Sequence, residues 1–111
     1  MKTYCFDLDN TLCETINGDY KNSQPITKAI NAVNSLYDRG NKIIIFTARY
    51  MGKKKGDITK VYNVGYNFTE KQLVEWGVKY HQLILGKPEY DIIIDDKSIF
   101  FKENWPEEIL K

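Results

Sequence analysis

An α/β fold with a mostly parallel sheet follows from three features of the sequence. Three short runs, at residues 3–6, 42–46 and 90–94, are almost unbroken in β-branched and aromatic residues. Continuous rather than alternating apolar character is what a strand covered on both faces requires, as in a parallel sheet. Helical periodicity lies between these runs, and an alternating order of strand and helix calls for right-handed crossovers.

The first run, Thr3-Tyr4-Cys5-Phe6, is too short for a helix and gives the first strand. The polar stretch from Glu14 to Gln24 carries Asn17-Gly18, a turn signal able to close a small hairpin. Ile26, Ala29, Ile30, Val33, Leu36 and Tyr37 then recur at helical spacing, with Arg39 and Gly40 as the stop. Lys42 to Phe46 is the second strand. Residues 51–67 open with Gly52-Lys53-Lys54-Lys55-Gly56 and show no clear pattern beyond a short helix after Asp57. Thr69 and Gln72 have capping-box spacing, and Phe68 and Leu73 are placed as a hydrophobic staple, so a second helix is expected to start there and stop at Gly77. Gln82 to Leu85, closed by Gly86, is a weaker strand. Tyr90 to Ile94 is the last. In the tail, Pro106 is suitably placed to begin a final helical turn.

The 111 residues suit one domain, expected to span 1–111. A net charge of +1 gives no field that would favour nucleic acid or a membrane surface, so neither partner is expected. No apolar run approaches the roughly 20 residues of a membrane helix. The N-terminus meets a charge too early for a secretory signal, and two cysteines, Cys5 and Cys13, make neither a disulfide framework nor a zinc site. A reduced, cytoplasmic location is expected.

Four of the eight aspartates stand in two pairs at strand ends: Asp7 with Asp9, and Asp95 with Asp96. Ligands of open parallel sheets bind beyond the carboxyl ends of the strands, where Thr47 and Lys87 also fall. Carboxylates held close repel unless a cation neutralises them. All-oxygen ligation suits a hard ion, with Mg²⁺ the expected one. A carboxylate can also act as a nucleophile on phosphorus, and a hydroxyl and an ammonium beside it can hold phosphoryl oxygens.

In these residues the chain resembles the haloacid dehalogenase-like (HAD) superfamily. Asp7-Leu8-Asp9-Asn10-Thr11 matches its D-x-D-x-T motif, Thr47 the hydroxyl ending the second strand, Lys87 its lysine, and Asp95-Asp96 its acidic pair. The resemblance covers about residues 3–97 and is nearest to small bacterial phosphatases associated with capsule or surface-polysaccharide synthesis. It implies a single Rossmann-like domain and a Mg²⁺-dependent phosphatase acting on a small phosphorylated substrate such as a sugar phosphate. Asp7 would be the nucleophile and Asp9 the acid and base. Leu8, Thr47, Ala48, Arg49 and Lys87 would bind phosphate or substrate, and Asp7, Asp9, Asp95 and Asp96 would hold the metal. A phosphatase of macromolecules and a non-catalytic binding domain are the alternative readings.

The spaces after Leu12 and after Leu85 are too short for a folded cap domain, which needs roughly 40 residues. The flap Glu14–Gln24, the loop Met51–Asn67 or a neighbouring subunit is expected to supply walls instead, the last in a homo-oligomer, with Phe100, Phe101 and Trp105 either in that contact or capping the sheet. Lys53 to Lys55 is either a solvated loop or a basic rim for an anionic substrate. His81 is expected to be structural.

Overall fold

The computed structural model describes residues 1–111. Three strands, β1 (Thr3–Phe6), β4 (Lys42–Thr47) and β5 (Gln82–Leu85), form a parallel sheet in the order β1-β4-β5. Thr3 pairs with Lys42 and Phe6 with Ile45, while Ile44 pairs with Gln82 and Thr47 with Leu85. Two short strands, β2 (Cys13–Glu14) and β3 (Gln24–Pro25), pair antiparallel and close the flap between them. Asn17 and Gly18 both take positive φ, 51° and 69°, at the turn in that flap. This is the backbone region that Asn and Gly tolerate best.

Helix α1 (Thr27–Asp38) buries Ala29, Ile30, Ala32, Val33 and Leu36, the face its periodicity defines. They join Phe6, Leu8, Leu12, Ile43, Ile45, Leu83 and Leu85 in one core. Helix α3 (Trp105–Ile109) has Pro106 in its first turn and packs on α1. Trp105 lies with its ring centroid 5.7 Å from that of Phe6, so this tail aromatic covers the core, whereas Phe100 and Phe101 are exposed.

Helix α2 (Ile58–Glu75) corrects the helix boundary expected from the sequence. Its N-cap is Asp57, whose carboxylate accepts from the Lys60 amide at 3.2 Å. Thr69 and Gln72 lie inside the helix, fully or nearly fully buried, and their polar groups serve Arg49 instead of a helix start. Gly65, in mid-helix, lies under the Tyr50 ring; a Cβ there would stand 2.3 Å from the Tyr50 Cδ2.

Residues 90–94, expected as a strand, are not one. β1 pairs only with β4, and Ile92, Ile93 and Ile94 are exposed. Strand propensity expresses fit to a pleated, covered surface, and without a paired neighbour it fixes no strand. The segment is also held at both ends by other contacts: Lys87 reaches Asp7, and Asp95 caps a turn by accepting from the Lys97 amide at 2.9 Å.

Candidate functional site

Parallel strands bring their carboxyl ends to one edge of the sheet, and four sequence-defined residues meet there. Asp7 and Asp9 follow β1, Thr47 ends β4, and Lys87 follows β5. The Lys87 amide donates to the Thr47 carbonyl at 3.2 Å, and Lys87 Nζ lies 3.3 Å from Asp7 Oδ1. Burial pulls the Lys87 ammonium down, but the Tyr90 hydroxyl and the charge of Asp7 outweigh it and hold the group above the ordinary lysine value. Asp7 Oδ2 accepts from Thr11 Oγ1 at 3.0 Å. Asp7, Asp9, Thr47 and Ala48 line a cavity of about 290 Å³, closed on other sides by Thr15, Tyr20 and Glu89.

Asp9 is held far more firmly than Asp7. Its Oδ1 accepts from Thr15 Oγ1 at 2.6 Å and from Arg49 Nη2 at 2.9 Å, with Cys13 Sγ at 3.5 Å. Its Oδ2 accepts from Arg49 Nε at 3.0 Å. The turn that delivers Asp9 is fixed by Asn10, at φ 63°, whose amide donates to the Cys13 carbonyl and whose Oδ1 accepts from the Thr15 amide. Burial, together with the charge of Asp9, pushes the Cys13 thiol up to about 11.

Arg49 lines the same cavity, with its side chain buried and its donors committed inside. Besides Asp9 it donates to Gln72 Oε1 at 2.6 Å and to Thr69 Oγ1 at 3.4 Å, with its guanidinium 4.8 Å from the Tyr20 ring centre. A buried charge persists only where its donors find partners, and α2 and Asp9 supply them. Gln72 Nε2 in turn donates to the Tyr20 carbonyl at 2.8 Å, which pins the flap. Thr69, Gln72, Thr15 and Tyr20 are thus the site residues that sequence reasoning missed. For Thr69 and Gln72 the available signal is a pair of polar residues three apart, which is equally the spacing of a helix cap.

Leu8 is wholly buried, so its side chain cannot reach a ligand. Its amide and that of Ala48 donate to no protein acceptor, which leaves backbone N–H as what these two positions can offer an anion. Thr47 is buried with its Oγ1 accepting from the Arg49 amide at 3.1 Å, so the hydroxyl proton remains to be donated.

Asp95 and Asp96 do not join the others. Both are exposed, and neither lines the cavity. No group of three His, Cys, Asp or Glu side chains is gathered to hold a metal. The donor set that does line the cavity is nonetheless all oxygen in its acidic members, Asp7, Asp9 and Glu89, which is the chemistry of a hard cation.

Lys53 is an anchored residue of the expected basic run: its Nζ donates to the Gly18 carbonyl at 2.7 Å. His81 lies on the sheet edge, where Nδ1 accepts from the Ile43 amide at 3.0 Å and the ring stacks on Tyr37. Cys5 and Cys13 are both free. No helix is long and apolar enough to cross a membrane.

Fold and cavity together define a small α/β domain with an acidic site at the carboxyl-terminal edge of a parallel sheet. The chain is similar to the crystal structure of an MCSG target from Vibrio cholerae, with 25% sequence identity and a TM-score of 0.83 over 98% of this chain and 96% of that one. No family model and no curated protein matches the sequence.

Proposed function

We propose that this protein is a phosphomonoesterase of the HAD type that works through an aspartyl-phosphate on Asp7. Its substrate in this reading is a sugar phosphate or similar small intermediate of surface-polysaccharide synthesis. The observation that carries the proposal is the meeting of Asp7, Asp9, Thr47 and Lys87 at one sheet edge, with Lys87 Nζ 3.3 Å from Asp7 Oδ1.

Each residue has a task that its surroundings support. Asp7, the more exposed of the two acids, attacks phosphorus and takes the phosphoryl group as the substrate's ester bond breaks. Asp9 gives a proton to the departing oxygen and later takes one from the water that hydrolyses the intermediate. Its Oδ1 is filled by Thr15, Arg49 and Cys13, so Oδ2, which receives Arg49 Nε alone, is the oxygen that handles the proton. Lys87, the Thr47 hydroxyl and the free amides of Leu8 and Ala48 hold the phosphoryl oxygens.

Mg²⁺ belongs to the same reading: Asp7, the backbone carbonyl of Asp9 and Asp95 would hold it, with Asp96 in support, and it would supply charge neutralisation. Asp95 meets this role only when residues 90–96 move onto the site; the free edge of β1 beside the exposed isoleucines is where they would dock. A homo-oligomer through Phe100 and Phe101 and a cytoplasmic location complete the proposal.

The test is phosphate release from p-nitrophenyl phosphate with and without Mg²⁺. Turnover that needs Mg²⁺ and disappears in Asp7→Asn supports the reading. No turnover by the parent under saturating Mg²⁺ rejects it.

A further inference from the structure

A second cavity, of about 400 Å³, adjoins the first along the flap and shares Asn17, Gly18 and Tyr20 with it. Its other walls are Lys21 on the flap, Tyr50 and Lys53 beyond β4, and Phe68 on α2. A molecule whose phosphate lay at Asp7 would have this adjoining space open to the rest of its body.

The walls combine aromatic rings with two lysines and one carboxylate, that of Asp19, and neither lysine forms an ion pair with it. The Tyr20 and Tyr50 rings meet at 4.8 Å and 58°, and Tyr50 is held in place by its fit over Gly65. Lys53 Nζ stands 4.6 Å from the Tyr20 ring centre and 5.7 Å from that of Tyr50, fixed by its bond to the Gly18 carbonyl. That bond uses one of the ammonium's donors and leaves the others free. Neither Lys53 nor Lys21 forms an ion pair, and Asp19, the acid on this wall, is engaged by Asn22 Nδ2 at 2.8 Å. A flat apolar body is accommodated by the rings. An anionic group would make the stronger, charge-assisted bond to the ammonium beside them.

We propose that this second cavity is the leaving-group subsite and that it selects phosphates of acidic sugars, the ring lying against Tyr20, Tyr50 and Phe68 and a second anionic group meeting Lys53 with Lys21. The inference rests on the phosphatase reading for the place of the phosphate, and it goes beyond that reading in naming what the rest of the substrate carries.

Two ligands separate it from its alternatives: α-D-glucuronic acid 1-phosphate and α-D-glucose 1-phosphate, which differ in a carboxylate against a hydroxymethyl group. Calorimetric titration uses Asp7→Asn protein, so that neither is consumed. The glucuronic acid compound is expected to bind about tenfold or more tightly, the return of one charge-assisted hydrogen bond. Adding Lys53→Gln, a change at an exposed position, should bring the two affinities within about twofold of each other. Equal affinities, no binding of either, or a preference that survives both Lys53→Gln and Lys21→Gln overturns the subsite. Parent turnover of p-nitrophenyl phosphate is measured alongside: turnover with equal affinities removes the subsite alone, and a Lys53-dependent preference without turnover keeps the cavity's selectivity for the acidic sugar but overturns its role as a leaving-group subsite together with the phosphatase reading.

Discussion

Arg49 Nη2 lies 2.9 Å from Asp9 Oδ1, and the arginine that makes this contact has no exposed side-chain surface. The pair joins β1's end to α2 through Gln72 and Thr69, and through Gln72 to the flap. A side chain in the proposed acid–base position is therefore oriented by a helix that follows β2, β3, α1 and β4 along the chain.

Removing that arginine leaves Asp9 and Gln72 without their partner. Breaking a buried pair from one side is costly, so Arg49→Met should lower stability by about 3 kcal/mol in urea unfolding. Arg49→Lys should recover only part of it, because an ammonium lacks the planar fork that meets Asp9 and Gln72 together. A loss below about 1 kcal/mol, the range of a surface pair, would show that the contact is not the anchor described.

Gly65 gives a prediction of sign. Glycine to alanine inside a helix ordinarily stabilises by about 1 kcal/mol. Here the new Cβ would stand 2.3 Å from the Tyr50 ring, and Tyr50 already sits at φ 68°. Gly65→Ala should lower the melting temperature and disturb the Tyr20–Tyr50 contact, seen as a change in tyrosine near-ultraviolet dichroism. A raised melting temperature would mean that Tyr50 is free to leave.

The Cys13 thiol makes stability depend on pH. Burial and the charge of Asp9 raise it in the folded protein from 9.0 to about 11. Above pH 9 the unfolded chain releases this proton while the folded one keeps it, so unfolding is favoured as pH rises and the full difference is reached near pH 11. The loss is on the order of 2–3 kcal/mol. Tyr50, Tyr66 and Tyr80, which burial also raises, add to the decline from about pH 9 upward, so Cys13→Ala should flatten it in part, measured by denaturant titration between about pH 8.5 and 10. An unchanged slope would remove Cys13 as its source.

Asp95 tests the metal part of the proposal, since it lies outside the cavity in this arrangement. Asp95→Ala should raise the Mg²⁺ concentration for half-maximal phosphatase activity about tenfold or more, the scale on which losing a metal-supporting group weakens affinity. Asp96→Ala should raise it less. Equal effects would overturn the assignment of Asp95 as the ligand and Asp96 as its support, and no effect from either would leave residues 90–96 without a role at the site.

What the sequence revealed and what it hid divide along physical lines. β1 and β4 were legible because each is an unbroken apolar run, and α1 because its apolar spacing is the face it buries. Asp7, Asp9, Thr47 and Lys87 were legible as candidates because a parallel sheet collects strand ends. Thr69 and Gln72 misled, since a polar side chain at helical spacing reads as a cap until its partner is known, and Arg49 is twenty or more residues away. Arg49 was legible as a residue at the site, but its buried partners Asp9 and Gln72 were not, because they lie far from it in the chain. Residues 90–94 have the composition of a strand, but pairing is a property of the neighbour, which no local pattern contains.

The central claim is that Asp7 carries the phosphoryl group. An acyl phosphate is reduced by borohydride to an alcohol, so quenching the parent with borohydride during turnover of p-nitrophenyl phosphate should leave homoserine at position 7, found by peptide mass mapping. Asp7→Asn protein should show no such product. Reduction at any other carboxylate, or steady turnover with every aspartate intact after the quench, would contradict the account.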